Sequence, residues 1–121
     1  MSRAARSVFV FGLYLMGTAA LLMTTPNVLL GLLGMESATE PWIRVLGVVV
    51  GVLGAYYVVA ARAELGPFLR ATVWGRALVL VGFGGLVVIG WAPVTLVVFG
   101  VMDALGAFWT WTLLRSPGGA A

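Results

Sequence analysis

The sequence predicts an all-α integral membrane protein: an antiparallel, up-down four-helix bundle with both termini on the cytoplasmic side. Composition is the first reason, because 62% of the 121 residues are hydrophobic and only 9% are charged, with a mean hydropathy of +1.12. Water-soluble domains carry roughly 25% charged residues. The second reason is the pattern, in which long apolar runs alternate with short breaks that are polar or contain proline. We therefore expect a single transmembrane domain comprising residues 1–121.

Four apolar segments approach the length needed to cross the hydrocarbon core, which takes about 20 helical residues. The expected spans comprise about residues 8–25, 43–62, 70–90 and 93–114. The segments lack the alternation of a transmembrane barrel, and only helices or closed barrels satisfy backbone groups in lipid. A proline lies in each break, and the break before the last span is short. The last two spans are therefore expected to form a tight hairpin.

Residues 26–35 form a further apolar segment that is too short to span a membrane. It is expected to extend the first helix obliquely, to lie at the interface, or to close the outer mouth of the bundle as a packed loop. The first 22 residues also resemble a secretory signal peptide, with arginines before an apolar run. No small-x-small cleavage site follows that run, so we expect it to be a span.

The arginines predict the orientation of the bundle. With four spans, the termini and the second loop share one side, which collects Arg3, Arg6, Arg62, Arg70, Arg76 and Arg115. Arg44 alone lies near the other side. Cytoplasmic loops are enriched in arginine and lysine, so the termini are expected to be cytoplasmic. Arg70 and Arg76 carry less weight, because they lie at or inside the third span.

The residue types present exclude several classes of function. The chain has no cysteine and no histidine, so disulfides, thiol chemistry and the usual zinc and haem ligands are absent. Four scattered acidic residues do not predict a metal site, and no cofactor is expected. The seven arginines are dispersed and not interleaved with aromatic residues, so nucleic acid is not an expected partner.

Asp103 and Arg76 are charged residues that fall inside apolar spans. A charge at the membrane centre costs about 3 kcal/mol even on lenient scales, so these side chains should face the interior and find partners. Counting residues from the turns places Asp103 about one helical turn from Arg76, with Tyr14 and Tyr57 at similar depth. We predict a cluster of these four residues in which Asp103 pairs directly with Arg76. The cluster either holds the helices in register or forms a proton-linked or anion-binding site.

The second span contains the sequence "GVVVGVLG", which places Gly47, Gly51 and Gly54 on one helix face. Small residues at this spacing let two membrane helices approach closely and gain van der Waals contact. This glycine stripe is therefore expected to pack within the bundle, or to form the seam of a homodimer.

The run "WIRVLGVVVGVLGAYYVVAAR", preceded by "PNVLLGLLG", resembles small bacterial four-helix membrane proteins of the DoxX-like kind. The resemblance covers about residues 8–62 and rests on Arg44 and the glycine stripe. Such proteins include uncharacterised members and small partner subunits of membrane redox enzymes. The resemblance implies an accessory role in the bacterial cytoplasmic (inner) membrane.

Three functions are consistent with these features. The leading hypothesis is a non-catalytic accessory or assembly subunit, or a binder of a lipid-like molecule. Its partners would be membrane lipids, another membrane protein or a second copy of the chain. The first alternative is a small proton-coupled or anion transporter that uses Asp103 and Arg76. The second is a membrane enzyme acting on a lipid or quinone, with Asp103 as base and Tyr14 or Tyr57 as hydrogen-bond donor.

Overall fold

A computed structural model describes residues 1–37, 39 and 41–115, and this part of the chain consists of helices and turns without a strand. The helices are α1 (Arg3–Thr24), α2 (Pro26–Leu32), α3 (Trp42–Arg62), α4 (Gly66–Ile89), a 3-10 turn (Val94–Leu96) and α5 (Val97–Arg115). Four of them, with the 3-10 turn counted in the last, are long and apolar enough to cross a membrane. The all-α class and the four span-length helices are thus confirmed, and α2 forms within the predicted short apolar segment.

Two spans begin earlier than predicted. α1 begins at Arg3 because the Ser2 side chain accepts a hydrogen bond from the Ala5 backbone N–H, which caps the helix. α4 begins at Gly66, with Pro67 in its first turn. Proline is favourable there, because its backbone angle suits the helix and the missing N–H has no helical partner to lose. Pro67 was expected to lie in the break before the third span, but it lies in the first turn of α4.

α1 and α3 pack with their backbones close together. A Cβ placed on Gly54 would lie 2.9 Å from the carbonyl oxygen of Gly12, and one on Gly47 would lie 2.8 Å from Cγ of Met23. Residue numbers rise along α1 as they fall along α3, so the two helices run in opposite directions. Gly51 faces Ala19 in the same seam. The glycine stripe is therefore covered by α1 of the same chain.

α4 and α5 form the second helix pair. The left-handed backbone of Gly90 (φ 92°) ends α4, and the Trp91 N–H donates to the Leu86 carbonyl. Further along the hairpin, Gly100 lies against Leu80, whose Cα would be 3.1 Å from a Cβ added at residue 100. These contacts bring residues 100 and 80 to the same level.

The two helix pairs meet mainly through α1 and α5. We call one end of the bundle the termini end, where the Ser2 backbone N–H donates to the Glu64 carboxylate. We call the opposite end the α2 end, where the Thr95 hydroxyl donates to the Leu33 carbonyl. The larger apolar core cluster joins α1, α3 and α4 in the half nearer the termini end; it comprises Ala5, Val8, Phe11, Leu15, Tyr57, Ala61 and Leu69.

Candidate functional site: a buried arginine network and an apolar groove

Arg76 is enclosed between the two helix pairs. The residue is 1% exposed, and its guanidinium donates from Nη2 to the hydroxyls of Thr110 (2.8 Å) and Thr72 (3.2 Å). Its Nε donates to the Thr72 carbonyl at 3.1 Å. The Thr110 hydroxyl also lies 2.7 Å from the Ser7 hydroxyl, and both residues are fully buried. This polar network therefore connects α1, α4 and α5.

Counting protons fixes the direction of the hydrogen bonds, because each hydroxyl has a single hydrogen to donate. Ser7 donates to the Ala4 carbonyl at 2.6 Å, so Thr110 must be the donor in its bond with Ser7. Thr72 donates to the Leu69 carbonyl at 2.7 Å. Both threonine hydroxyls are then free to accept from the guanidinium, and the network stabilises a positive charge at Arg76.

One nitrogen of Arg76 lies outside this network. Nη1 is buried and has no hydrogen-bond partner among the described residues. The guanidinium carbon lies 4.7 Å from the centroid of the Phe11 ring, a cation–π contact. A Cβ at Gly106 would lie 3.2 Å from Nη1 and 3.0 Å from the Phe11 ring. Gly106 therefore makes room for both side chains.

Asp103 does not pair directly with Arg76, and this part of the prediction is wrong. Among the described residues, Arg76 donates only to Thr72 and Thr110, and the Asp103 carboxylate accepts no hydrogen bond. The two residues lie at nearly the same level, but side chains lean toward the N-terminus of their own helix, and α4 and α5 run in opposite directions. Arg76 consequently extends toward the termini end, and Asp103 extends toward the α2 end. The two groups stay within electrostatic range of each other.

An apolar groove of about 480 Å³ lies between the helix pairs in the half nearer the α2 end. Side chains of every helix line it, and Asp103, Tyr14 and Thr18 lie at its inner end. At its other end α2 contributes Leu30, which is 4% exposed, whereas Leu32 on the opposite face of α2 is 78% exposed. The short apolar segment thus closes one end of a groove.

Tyr14 and Tyr57 have different environments. The Tyr14 hydroxyl oxygen is buried in the groove wall without a hydrogen-bond partner among the described residues. Tyr57 packs in the core, with ring centroids 6.0 Å from Phe11 and 5.7 Å from Phe68. Both tyrosines lie within electrostatic range of Asp103. The four predicted residues therefore occupy one region, divided into a groove side (Asp103, Tyr14) and a core side (Arg76, Tyr57).

Sequence reasoning missed the actual partners of Arg76. Thr72 precedes Arg76 by four residues, so the two share a helix face, and this spacing was a usable signal. Ser7 lies on α1 and Thr110 on α5, and residue counting gave no indication that they would meet. An arginine in a membrane helix can be stabilised by hydroxyls without a carboxylate, and the prediction considered only the carboxylate.

The site combines an apolar groove with one acidic residue, Asp103. Among the described residues, no three acidic, histidine or cysteine side chains lie together as metal ligands would. The groove offers a long apolar surface, and Asp103 and Tyr14 are among the residues that line its inner end. Comparisons with protein-family models, with curated proteins and with solved structures found no match to this chain.

Proposed function

We propose that this protein is a non-catalytic membrane protein that binds a lipid-like molecule in the groove. The observation that carries the proposal is an apolar groove of about 480 Å³ that side chains of every helix line. Pockets for small molecules commonly measure about 300–1,000 Å³ and combine apolar walls with a few placed polar groups. The walls here are almost wholly aliphatic and aromatic, which suits a hydrocarbon chain, and the polar groups are confined to one end.

In the proposed membrane arrangement, lipids of the surrounding bilayer are the available ligands. The four long helices cross the bilayer in antiparallel, up-down order, with the termini end at the cytoplasmic face. The groove then lies within the bilayer, where lipid chains reach it without passing through water. α3 and α4 pack little against each other, so the groove is not sealed between these two helices. The DoxX-like resemblance supports an accessory role in a bacterial inner membrane, in which the bound lipid is presented to another membrane protein.

Filling the groove tests the proposal. Leu46 lines it, whereas the adjacent Val45 is 59% exposed and lies outside it. Leu46→Trp is expected to weaken binding of tritiated 1-hexadecanol at least about tenfold, because the indole occupies the space of the chain. Val45→Trp, which adds the same group to a lipid-facing position, should leave binding unchanged. A scintillation proximity assay in detergent measures both. Absence of saturable binding to the parent, or equal loss in both variants, would contradict the proposal.

A proton-coupled transporter is the second candidate, and the unpaired carboxylate near the middle of its span is the observation that favours it. In that case Asp103 carries the proton, and Arg76 sets its electrostatic surroundings. Reconstituted vesicles under an imposed pH gradient would then take up protons when hexadecanol is added, and Asp103→Asn would abolish the uptake. A simple binder shows no such flux, in the parent or in the variant.

A further inference from the structure

We infer that the lipid enters the groove sideways from the bilayer, through an opening between α3 and α4 in the half nearer the α2 end. This inference rests on the proposed function and specifies the route and the source of its ligand. Four side chains that line the groove are also on the outer surface, where each is between 36% and 51% exposed. They are Trp42, Leu46 and Leu53 on α3, and Leu86 on α4. These four residues define what we call the lateral opening.

The other walls of the groove are formed by side chains that are less exposed. Leu15 and Leu22 of α1 line the groove and are buried. Leu22 also packs against Leu30 of α2 and Ile43 of α3, which are buried as well. On the α5 side, Phe99 is half-buried. The exposed lining residues thus lie on α3 and α4, the two helices that pack little against each other.

The lateral opening belongs to one half of the bundle. In the half nearer the termini end, residues 63–65 connect α3 to α4, and the Tyr57 ring packs edge-on against the Phe68 ring with 5.7 Å between their centroids. Trp42 is the first residue of α3 and Leu86 lies near the end of α4, so both lie far from this connection. α3 and α4 therefore diverge toward the α2 end, and the lateral opening meets the lipid chains of the leaflet on that side.

The side chains at the lateral opening suit the passage of a hydrocarbon chain. Three are leucines and one is a tryptophan, so the chain exchanges one apolar surrounding for another and no charged group has to be moved. Exposed side chains change rotamer within about nanoseconds, so the leucines can turn aside as the chain passes. A lipid chain that lies beside α3 and α4 can therefore move into the groove without crossing water.

Entry at the α2 end is more strongly obstructed. Leu30 of α2 is buried at that end of the groove. The Thr95 hydroxyl donates to the Leu33 carbonyl, which connects α2 to the 3-10 turn before α5. A ligand that entered there would have to break this hydrogen bond and displace a buried leucine. A ligand that enters through the lateral opening displaces exposed side chains and lipid.

A reversible tether across the lateral opening tests the inference. Leu46→Cys and Leu86→Cys together place one thiol on each side of it, and the chain has no other cysteine. A bifunctional methanethiosulfonate links the two thiols, and dithiothreitol removes the tether from the same molecules. In nanodiscs, the tether is expected to slow association and dissociation of tritiated 1-hexadecanol at least about tenfold and to leave the Kd unchanged, because it obstructs the path and not the site. Dithiothreitol should restore both rates.

Leu33→Cys with Thr95→Cys is the matched control. The same reagent then tethers α2 to the 3-10 turn and obstructs the α2 end of the groove. This tether should leave both rates equal to those of the same variant after dithiothreitol. Mass spectrometry of the intact chain measures the tethered fraction in both variants.

Each other outcome has a defined meaning. Slower exchange with the control tether alone would show that the ligand enters at the α2 end, which overturns the inference. Equal slowing by both tethers, or by neither, would also overturn it and would leave the proposed function standing, provided that Leu46→Trp still blocks binding. Faster dissociation alone would place the tethered residues in the site and not on the path to it, which likewise overturns the inference. Absence of saturable binding to the parent would contradict the proposed function itself.

Discussion

The guanidinium of Arg76 has five N–H donors, and the buried charge is more stable when each of them has a hydrogen-bond acceptor. Three of them are hydrogen-bonded to Thr72 and Thr110, while Nη1 faces the Phe11 ring and the backbone at Gly106. Hydroxyl and carbonyl dipoles thus stabilise the cation where a carboxylate was expected. Because Thr110 accepts from Arg76 and donates to Ser7, it connects the cation to α1 through hydrogen bonds.

Thr110→Val tests this role, because valine has the same shape without the hydroxyl. Removing the acceptor leaves a buried N–H of a charged group without a partner, so we expect a loss of about 1–3 kcal/mol in the free energy of unfolding. Thr24→Val is the control, because the Thr24 hydroxyl makes one exposed hydrogen bond to the Ala20 carbonyl. This variant should change the free energy of unfolding by no more than about 0.5 kcal/mol. Unfolding of both variants by SDS titration from mild detergent measures the difference. Equal losses would mean that the network contributes little to stability.

At the scale of elements, the seam between α1 and α3 depends on glycines of both helices. The Gly54 backbone approaches Gly12, and a Cβ at Gly12 would lie 2.9 Å from the Tyr57 Cβ. Such proximity leaves no room for a methyl group. In lipid, where apolar burial provides little driving force, this close van der Waals contact is a main source of helix association.

Gly12→Ala is therefore expected to destabilise the protein by about 1–3 kcal/mol through overpacking. Gly17→Ala in the same helix should be neutral or stabilising, because no atom lies within 4 Å of its added Cβ and alanine has the higher helix propensity. Thermal midpoints in detergent compare the two. A lower midpoint for Gly17→Ala than for Gly12→Ala would show that α1 does not pack against α3 along this face.

The sequence predicted the elements better than it predicted their contacts. Apolar run length located all four long helices, since membrane spans are constrained by bilayer thickness. Helical spacing also placed Gly47, Gly51 and Gly54 on one face of the second span, and that face of α3 lies against α1. The hydrogen-bond partners of Arg76 were not predicted, because they depend on the direction in which each side chain leans. The groove was missed because the separation of two helix pairs leaves no periodic signal in either pair.

At the scale of the whole molecule, the charged residues distinguish the two ends. Arg76 is buried within its span and no longer contributes to the arginine count of a loop. The termini end still carries Arg3, Arg6, Arg62, Arg70 and Arg115, whereas the α2 end carries Arg44, which donates to the Met23 carbonyl. This asymmetry supports the cytoplasmic assignment of the termini end, because arginine-rich loops remain on the cytoplasmic side.

Single cysteines test the orientation directly, because the chain contains none of its own. Ala63 follows α3 at the termini end and Ser37 precedes α3 at the α2 end, and both are exposed. A membrane-impermeant maleimide applied to bacterial spheroplasts expressing each variant should label Ser37→Cys at once. It should label Ala63→Cys only after the membrane is permeabilised. The opposite pattern would invert the proposed topology.

The position of Asp103 near the middle of the Val94–Arg115 span has a consequence for any lipid held against it. In the proposed membrane arrangement, the polar end of such a lipid would lie near the bilayer midplane and its chain would extend toward the α2 end. This orientation is the reverse of that of the lipids in the same leaflet. Inverting a phospholipid in this way would drag a charged head through hydrocarbon, whereas a single hydroxyl loses far less hydration. In that arrangement, the depth of Asp103 would therefore disfavour lipids with large or charged head groups.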